Sequence, residues 1–144
     1  MTRIEFHFNA PDRLNYACRL LRKVYASQLR VGVIGSPSLL GHLDQALWTF
    51  SALDFIPHAL VQPGQPVAQD TPVVLAETVA ALGQVDVLVN LGEGVPAGFE
   101  SVARLIEVVT SDDLDRAHAR SRWKQYTQQG YELIRHDLAK PVAA

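Results

Sequence analysis

The stretch "ARSRWKQYTQQGY", Ala119 to Tyr131, gathers Arg120, Arg122, Lys124, Trp123, Tyr126 and Tyr131 into one short polar run. Guanidinium groups grip carboxylates through paired N–H donors, and a neighbouring ring offers an apolar wall. Projected as a helix at about 100° per residue, Arg116, Arg120, Trp123, Lys124 and Thr127 fall within roughly 100° of arc. Like charges four residues apart disfavour an isolated helix slightly, while Asp112, Asp113 and Asp115 support its N-terminal end. Two readings are open on the residues alone. One is a solvated face with Trp123 folded against the rest of the chain; the other is a socket for an acidic peptide that carries an aromatic side chain.

Other chemistry finds less support in the spacing. The loop "VIGSPSLLGH" follows an apolar run but lacks Gly-Lys-Ser/Thr, and Pro37 removes a backbone N–H that a phosphate cradle would use. "NLGEGVPAG" spaces Gly92, Gly94 and Gly98 as G-x-G-x-x-x-G, unlike the dinucleotide fingerprint, and Glu93 would repel a pyrophosphate. His42 and Asp44 would point to different sides of a helix, His58 follows a proline, and His118 and His136 have no partner at ligand spacing. There is no G-x-S-x-G elbow. No catalytic residue, metal site or cofactor is expected, and no ATPase or phosphatase activity. The alternative is a small nucleotide-binding enzyme or regulator that uses the loops at Gly35 and Gly92.

The elements that must position these residues follow from the apolar pattern. "RIEFHF" alternates and predicts a strand; "PDRLNYACRLLRKVYAS" predicts a helix, with Asn9 as candidate N-cap and Pro11 near its start. "LRVGVIG" is almost continuously apolar, as in a parallel strand buried on both faces. Ser36 and Pro37 open a helix predicted to reach about Ala52. "TPVVLAE" and "VDVLVNL" predict two strands joined by "TVAALGQ", and "VQPGQPVAQD" is a turn or loop. A strand near Ile106 to Val109, a helix from Ser111 to Gln129 stopped by Gly130, and an edge strand in "YELIRHD" complete the order. Residues 138–144 read as a frayed tail. This alternation predicts a single α/β domain over residues 1–144, three-layered, with a mostly parallel sheet flanked by helices.

A chain of 144 residues, 48% of them hydrophobic, can bury one core of its own. Its formal net charge of −2 argues against wrapping nucleic acid unaided, because such affinity comes mostly from phosphate neutralisation; DNA is expected as an indirect partner only. The apolar run "TPVVLAETVAALG" is broken by Glu77 and Gly83 short of the roughly 18 to 20 residues a membrane span needs. "MTRIEFHFNAPDR" lacks the apolar region of a signal peptide, so a soluble cytoplasmic protein with no membrane partner is expected. Cys18, the one cysteine, permits no internal disulfide and sits at core spacing with Leu14, Leu21 and Val24.

In the helix from Pro37 to Ala52, Leu39, Leu40, Leu43, Ala46, Leu47 and Phe50 form one stripe, and Trp48 projects nearly opposite, beside Asp44. A tryptophan off the core stripe is covered either by its own chain, here "LDFIPHAL", or by a partner.

Two stretches together, "LDQALWTFSALDFIPHAL" and "RSRWKQYTQQGYEL", resemble the chi subunit family of bacterial DNA polymerase III, an accessory subunit of the clamp-loader assembly. The first looks like the family's L-D-x-A-L-W followed by F-x-P-H, the second like its basic-aromatic helix followed by Gly-aromatic. The resemblance implies an α/β fold similar to nucleotide-binding domains but without their phosphate-binding residues, and a non-catalytic adaptor role. It further implies binding of the acidic, aromatic-ending C-terminal tail of single-stranded-DNA-binding protein. Arg120 and Lys124 match the family's tail-gripping cations; Arg116 stands where a lysine is usual and Trp123 where a tyrosine is usual. Thr127 shares their face, and Gly130 and Tyr131 match the Gly-aromatic that closes the pocket. Trp48, Phe55, Pro57 and His58 match positions implied to bind a second partner, the psi subunit.

Overall fold

The computed structural model describes residues 2–49, 56–61 and 70–139. Its strands are β1 (Arg3–Ala10), β2 (Val31–Ile34), β3 (His58–Leu60), β4 (Val73–Ala76), β5 (Val87–Asn90), β6 (Arg104–Thr110) and β7 (Leu133–Asp137). They form one sheet in the order β3-β4-β2-β5-β6-β1-β7, and every pair in it is parallel. Helices α1 (Arg13–Ala26), α2 (Pro37–Thr49), α3 (Val79–Leu82) and α4 (Asp113–Gln128) cover its two faces.

The central strands "VGVI", "VVLA" and "VLVN" are buried throughout, which is why they carry no polar alternation. On one face Leu21, Leu43 and Leu47 from α1 and α2 pack over Val33, Leu75, Val89 and Ile106. On the other, Leu82 of α3 and Ala119 and Tyr126 of α4 pack over Ile4, Phe6, Val74, Leu88 and Leu105. The expected three-layer α/β architecture is therefore present. Gly32 of β2 allows the close approach of α3: a Cβ there would lie 2.5 Å from Leu82 Cδ1.

Several local expectations change. The N-cap of α1 is Asp12, whose side chain accepts from the Asn15 amide at 3.1 Å, not Asn9. Asn9 instead takes a left-handed φ of 64°, where the β1–β6 register shifts, and its Nδ2 donates to Asp137 Oδ1 at 2.8 Å. Asparagine tolerates that conformation better than most residues. Ser36 caps α2 as expected, its Oγ accepting from Leu39 N at 3.2 Å. The short strand β3 has no counterpart in the sequence reading, since three residues behind Pro57 are too few for a period. Leu138 is not frayed: its amide donates to Phe8 O at 2.9 Å and its side chain packs on the core. Phe50, Phe55, the expected end of α2, most of "VQPGQPVAQD" and residues 140–144 lie outside the described residues. Cys18 is buried, and burial pushes its thiol up to about 11. No described helix is long and apolar enough to cross a membrane.

Candidate functional site

Helix α4 is built to present one polar face while its other face is bolted to the sheet. Asp112 caps it by accepting from Asp115 N at 3.0 Å. Asp115 in turn accepts from Thr110 N at 2.7 Å and pairs with Arg13 Nη2 at 2.6 Å, which ties the helix start to β6 and α1. The inward face carries Ala119, Arg122 and Tyr126. Arg122 is 1% exposed; its Nε donates to Glu107 Oε1 at 3.0 Å and its Nη1 to Glu93 O at 2.7 Å. Tyr126 donates its hydroxyl to Glu107 Oε2, and Asn90 Nδ2 donates to the same carboxylate at 2.9 Å. Burial raises the Glu107 carboxyl above its usual range, against the pull of Arg122, Tyr126 and Asn90.

The helix ends in a Schellman turn. Gly130 has φ 88°, its amide donates to Thr127 O at 3.0 Å, and the Tyr131 amide donates to Tyr126 O at 3.1 Å. Tyr131 then packs its ring on Phe99, with centroids 5.3 Å apart.

Between α4 and the β1–β7 edge runs a groove of about 360 Å³, lined by Phe6, Phe8, Val109, Arg116, Ala119, Arg120, Trp123 and Arg135. Its floor is aromatic: Trp123 meets Phe6 edge-on with centroids 5.0 Å apart, and Phe8 lies under the Arg135 guanidinium at 5.1 Å. Its rim is cationic. Among the described residues, none of Arg116, Arg120 and Arg135 pairs with a carboxylate. Paired guanidinium donors above a hydrophobic floor suit a ligand with carboxylates and a ring.

The structure brings together Arg116, Arg120 and Trp123 of the expected set. Lys124, Thr127, Gly130 and Tyr131 do not line the groove. Relative to Arg116, Trp123 sits at roughly −20° on the helical wheel and Lys124 at roughly +80°, past the groove's edge. Thr127 lies a turn beyond and donates its hydroxyl to Trp123 O at 2.8 Å. Gly130 and Tyr131 close the helix rather than the groove. Arg135, Phe6 and Phe8 are additions that sequence reasoning did not reach. The parallel β1–β7 register pairs Phe6 with Arg135 and so turns both to the α4 face.

Two further regions test other expectations. The hollow at the strand ends is lined by Gly35, Glu77, Thr78, Asn90, Gly92, Gly94 and their neighbours, with no lysine or arginine among its lining residues. On α2, Leu40, Leu43 and Leu47 are buried while Trp48 is 60% exposed, as its projection predicts. Its ring meets His58 edge-on, with centroids 5.2 Å apart. His58 Nδ1 donates to Ile56 O at 2.7 Å, and its Nε2 lies 3.0 Å from Asp44 Oδ1. Pro57 is half-buried beside them. His136, unpaired by sequence spacing, meets His7 and Glu5 across the β1–β7 ladder.

Comparison with known proteins agrees with this architecture. The C-terminal domain of the DEAD-box protein Dbp5 superposes with a TM-score of 0.62 over 97% of this chain and 92% of that one. At 11% identity that likeness shows the fold alone. The DNA polymerase III subunit chi of Pseudomonas aeruginosa is 30% identical over 97% of this chain and 99% of its own length. That of Haemophilus influenzae is 29% identical over 81% of each chain. Residues 1–134 match the family described as DNA polymerase III chi subunit, HolC. The chain belongs to the DNA polymerase III chi subunit family.

Proposed function

We propose that this chain is a non-catalytic adaptor of DNA polymerase III, acting in DNA replication in the cytoplasm. It binds the acidic, aromatic-ending C-terminal tail of single-stranded-DNA-binding protein in the α4 groove and thereby links the clamp loader to coated template. The observation that carries this reading is the convergence of Arg116, Arg120 and Arg135 over Trp123, Phe6 and Phe8. A tail carboxylate meets the guanidiniums while its terminal ring lies on the aromatic floor. Titration of an acidic peptide ending in Asp-Phe, beside the same peptide lacking Phe, tests it. ATP, GTP and NAD serve as the opposite arm of a thermal-shift experiment: stabilisation by a nucleotide and not by the peptide would favour the strand-end hollow instead.

The Trp48 face serves as a second docking surface, for the psi subunit. An exposed tryptophan fixed by contact with His58 loses little freedom on being covered, which is the character of an interface anchor. Trp48→Ala is expected to weaken psi association by roughly 2 kcal/mol or more while leaving peptide affinity and thermal stability near wild type. Isothermal titration and a melting curve measure the two. Unfolding of Trp48→Ala would mark the ring as part of the core.

A further inference from the structure

Strand β1 sends Phe6 and Phe8 toward α4 and Glu5 and His7 toward the opposite face, where α1 lies. The β1–β7 register sets His7 beside His136. As a result, Glu5 Oε1 is 3.3 Å from His7 Nε2 and 3.2 Å from His136 Nε2, and one ligand atom from each residue lies within 4.8 Å of the others. A tetrahedral zinc ion with bonds of about 2.0 to 2.1 Å holds its ligand atoms about 3.3 to 3.4 Å apart. The contacts to Glu5, at 3.3 and 3.2 Å, are within about 0.1 to 0.2 Å of that separation.

We propose that Glu5, His7 and His136 form a binding site for a divalent first-row metal ion, with Zn²⁺ the cation they fit best. Two imidazoles and one carboxylate are a three-ligand zinc set that leaves a fourth position open, and imidazole donors select against magnesium and calcium. The supporting contacts orient each ligand. His7 Nδ1 contacts the Tyr16 hydroxyl; with Nδ1–H donating to the Tyr16 oxygen, the Nε2 lone pair faces the site. Arg104 Nε takes Glu5 Oε2 and its Nη2 lies 3.1 Å from Oε1, which fixes the carboxylate. His7 and Glu5 are buried, whereas the His136 side chain is 47% exposed and gives the ion its way in.

Arg104, with Arg3 Nε 3.6 Å from Glu5, opposes the charge of the ion. The site is therefore expected to bind more weakly than a structural zinc centre. Without metal, the same geometry is two imidazole N–H groups sharing one carboxylate oxygen, and the experiment must separate these two states.

Untagged full-length chain is titrated with ZnCl₂ by calorimetry, and Co²⁺ is added in parallel as a visible-absorption reporter of tetrahedral coordination. The expected result is one Zn²⁺ per chain. His136→Ala and His7→Gln lose at least about tenfold in affinity, since removing a ligand should cost no less than removing one of the hydrogen-bond partners that orient it, and His118→Ala binds as wild type does. Co²⁺ gives tetrahedral bands in wild type that His136→Ala abolishes, and Zn²⁺ raises the melting temperature of wild type but not of that variant. His136 sits half-exposed on an edge strand, so His136→Ala decides the matter even if His7→Gln fails to fold. Absence of Zn²⁺ binding in wild type, or equal affinity in His136→Ala, would overturn the site and leave a hydrogen-bonded triad.

Discussion

Arg122→Ala is expected to lower the free energy of unfolding by about 3 to 5 kcal/mol, the range found when one member of a buried ion pair is removed. Arg122 is 1% exposed and Glu107 wholly buried, so truncation leaves a carboxylate with only Tyr126 and Asn90 to satisfy it. The Glu93 carbonyl also loses its guanidinium donor. Losing the pair as a unit costs less: Glu107→Met combined with Arg122→Met should destabilise much less than Arg122→Ala, because no charge remains buried. Urea denaturation of the three proteins measures both differences, and adding the single variants Glu107→Met and Arg122→Met completes a cycle in which the two residues should be strongly non-additive. A loss below about 1 kcal/mol in Arg122→Ala would mean that the guanidinium is not locked to Glu107. The pair bears on the groove because it fixes the rotation of α4 and hence the direction in which Arg116, Arg120 and Trp123 point.

The sheet was legible because its central strands are apolar without interruption, and because Ser36-Pro37 and Gly130 mark helix ends that propensity alone would blur. The polar face of α4 was legible as far as a helical wheel reaches. A wheel assigns angles within one helix but cannot say where the neighbouring sheet ends, so it admits Lys124 and Thr127 beside residues that line the groove. It also gives Arg122 no partner, since Glu107 is fifteen residues away on another strand. Arg135 and the Glu5, His7 and His136 cluster depend on which strands pair and in what register. Residues more than a hundred positions apart become neighbours through the β1–β7 ladder, and no local pattern in "RIEFHF" or "YELIRHD" encodes that pairing. Even so, the alternation of each strand separates the two sets correctly: Phe6 and Arg135 on one side, His7 and His136 on the other.

An acidic peptide ending in a free aromatic residue is expected to bind the groove with a net free energy near −7 to −8 kcal/mol, roughly micromolar. Covering the ring contributes on the order of 1.5 to 3 kcal/mol, and hydrogen bonds from guanidiniums to the terminal carboxylate about 1.5 to 3 each. Exposed charge pairs along the rim add less than about 1 each. The entropy of ordering a flexible tail and of joining two molecules opposes these gains. Arg120→Ala and Arg135→Ala should each cost about 1 to 2 kcal/mol, the lower part of the charge-assisted range, because both side chains remain in contact with water. Arg135 makes the sharper test, since it reaches the groove from β7 and owes nothing to the charge pattern of α4. Lys124→Ala, at the outer edge of the helix, should change affinity by no more than about 0.5 kcal/mol. Removing the terminal aromatic should nearly abolish binding, and raising salt should weaken it by screening the rim. Titrations at two salt concentrations with these variants and both peptides give all five comparisons. Binding indifferent to the aromatic residue would empty the floor of Phe6, Phe8 and Trp123 of its role. Binding unchanged in both Arg120→Ala and Arg135→Ala would mean that the guanidiniums merely face solvent.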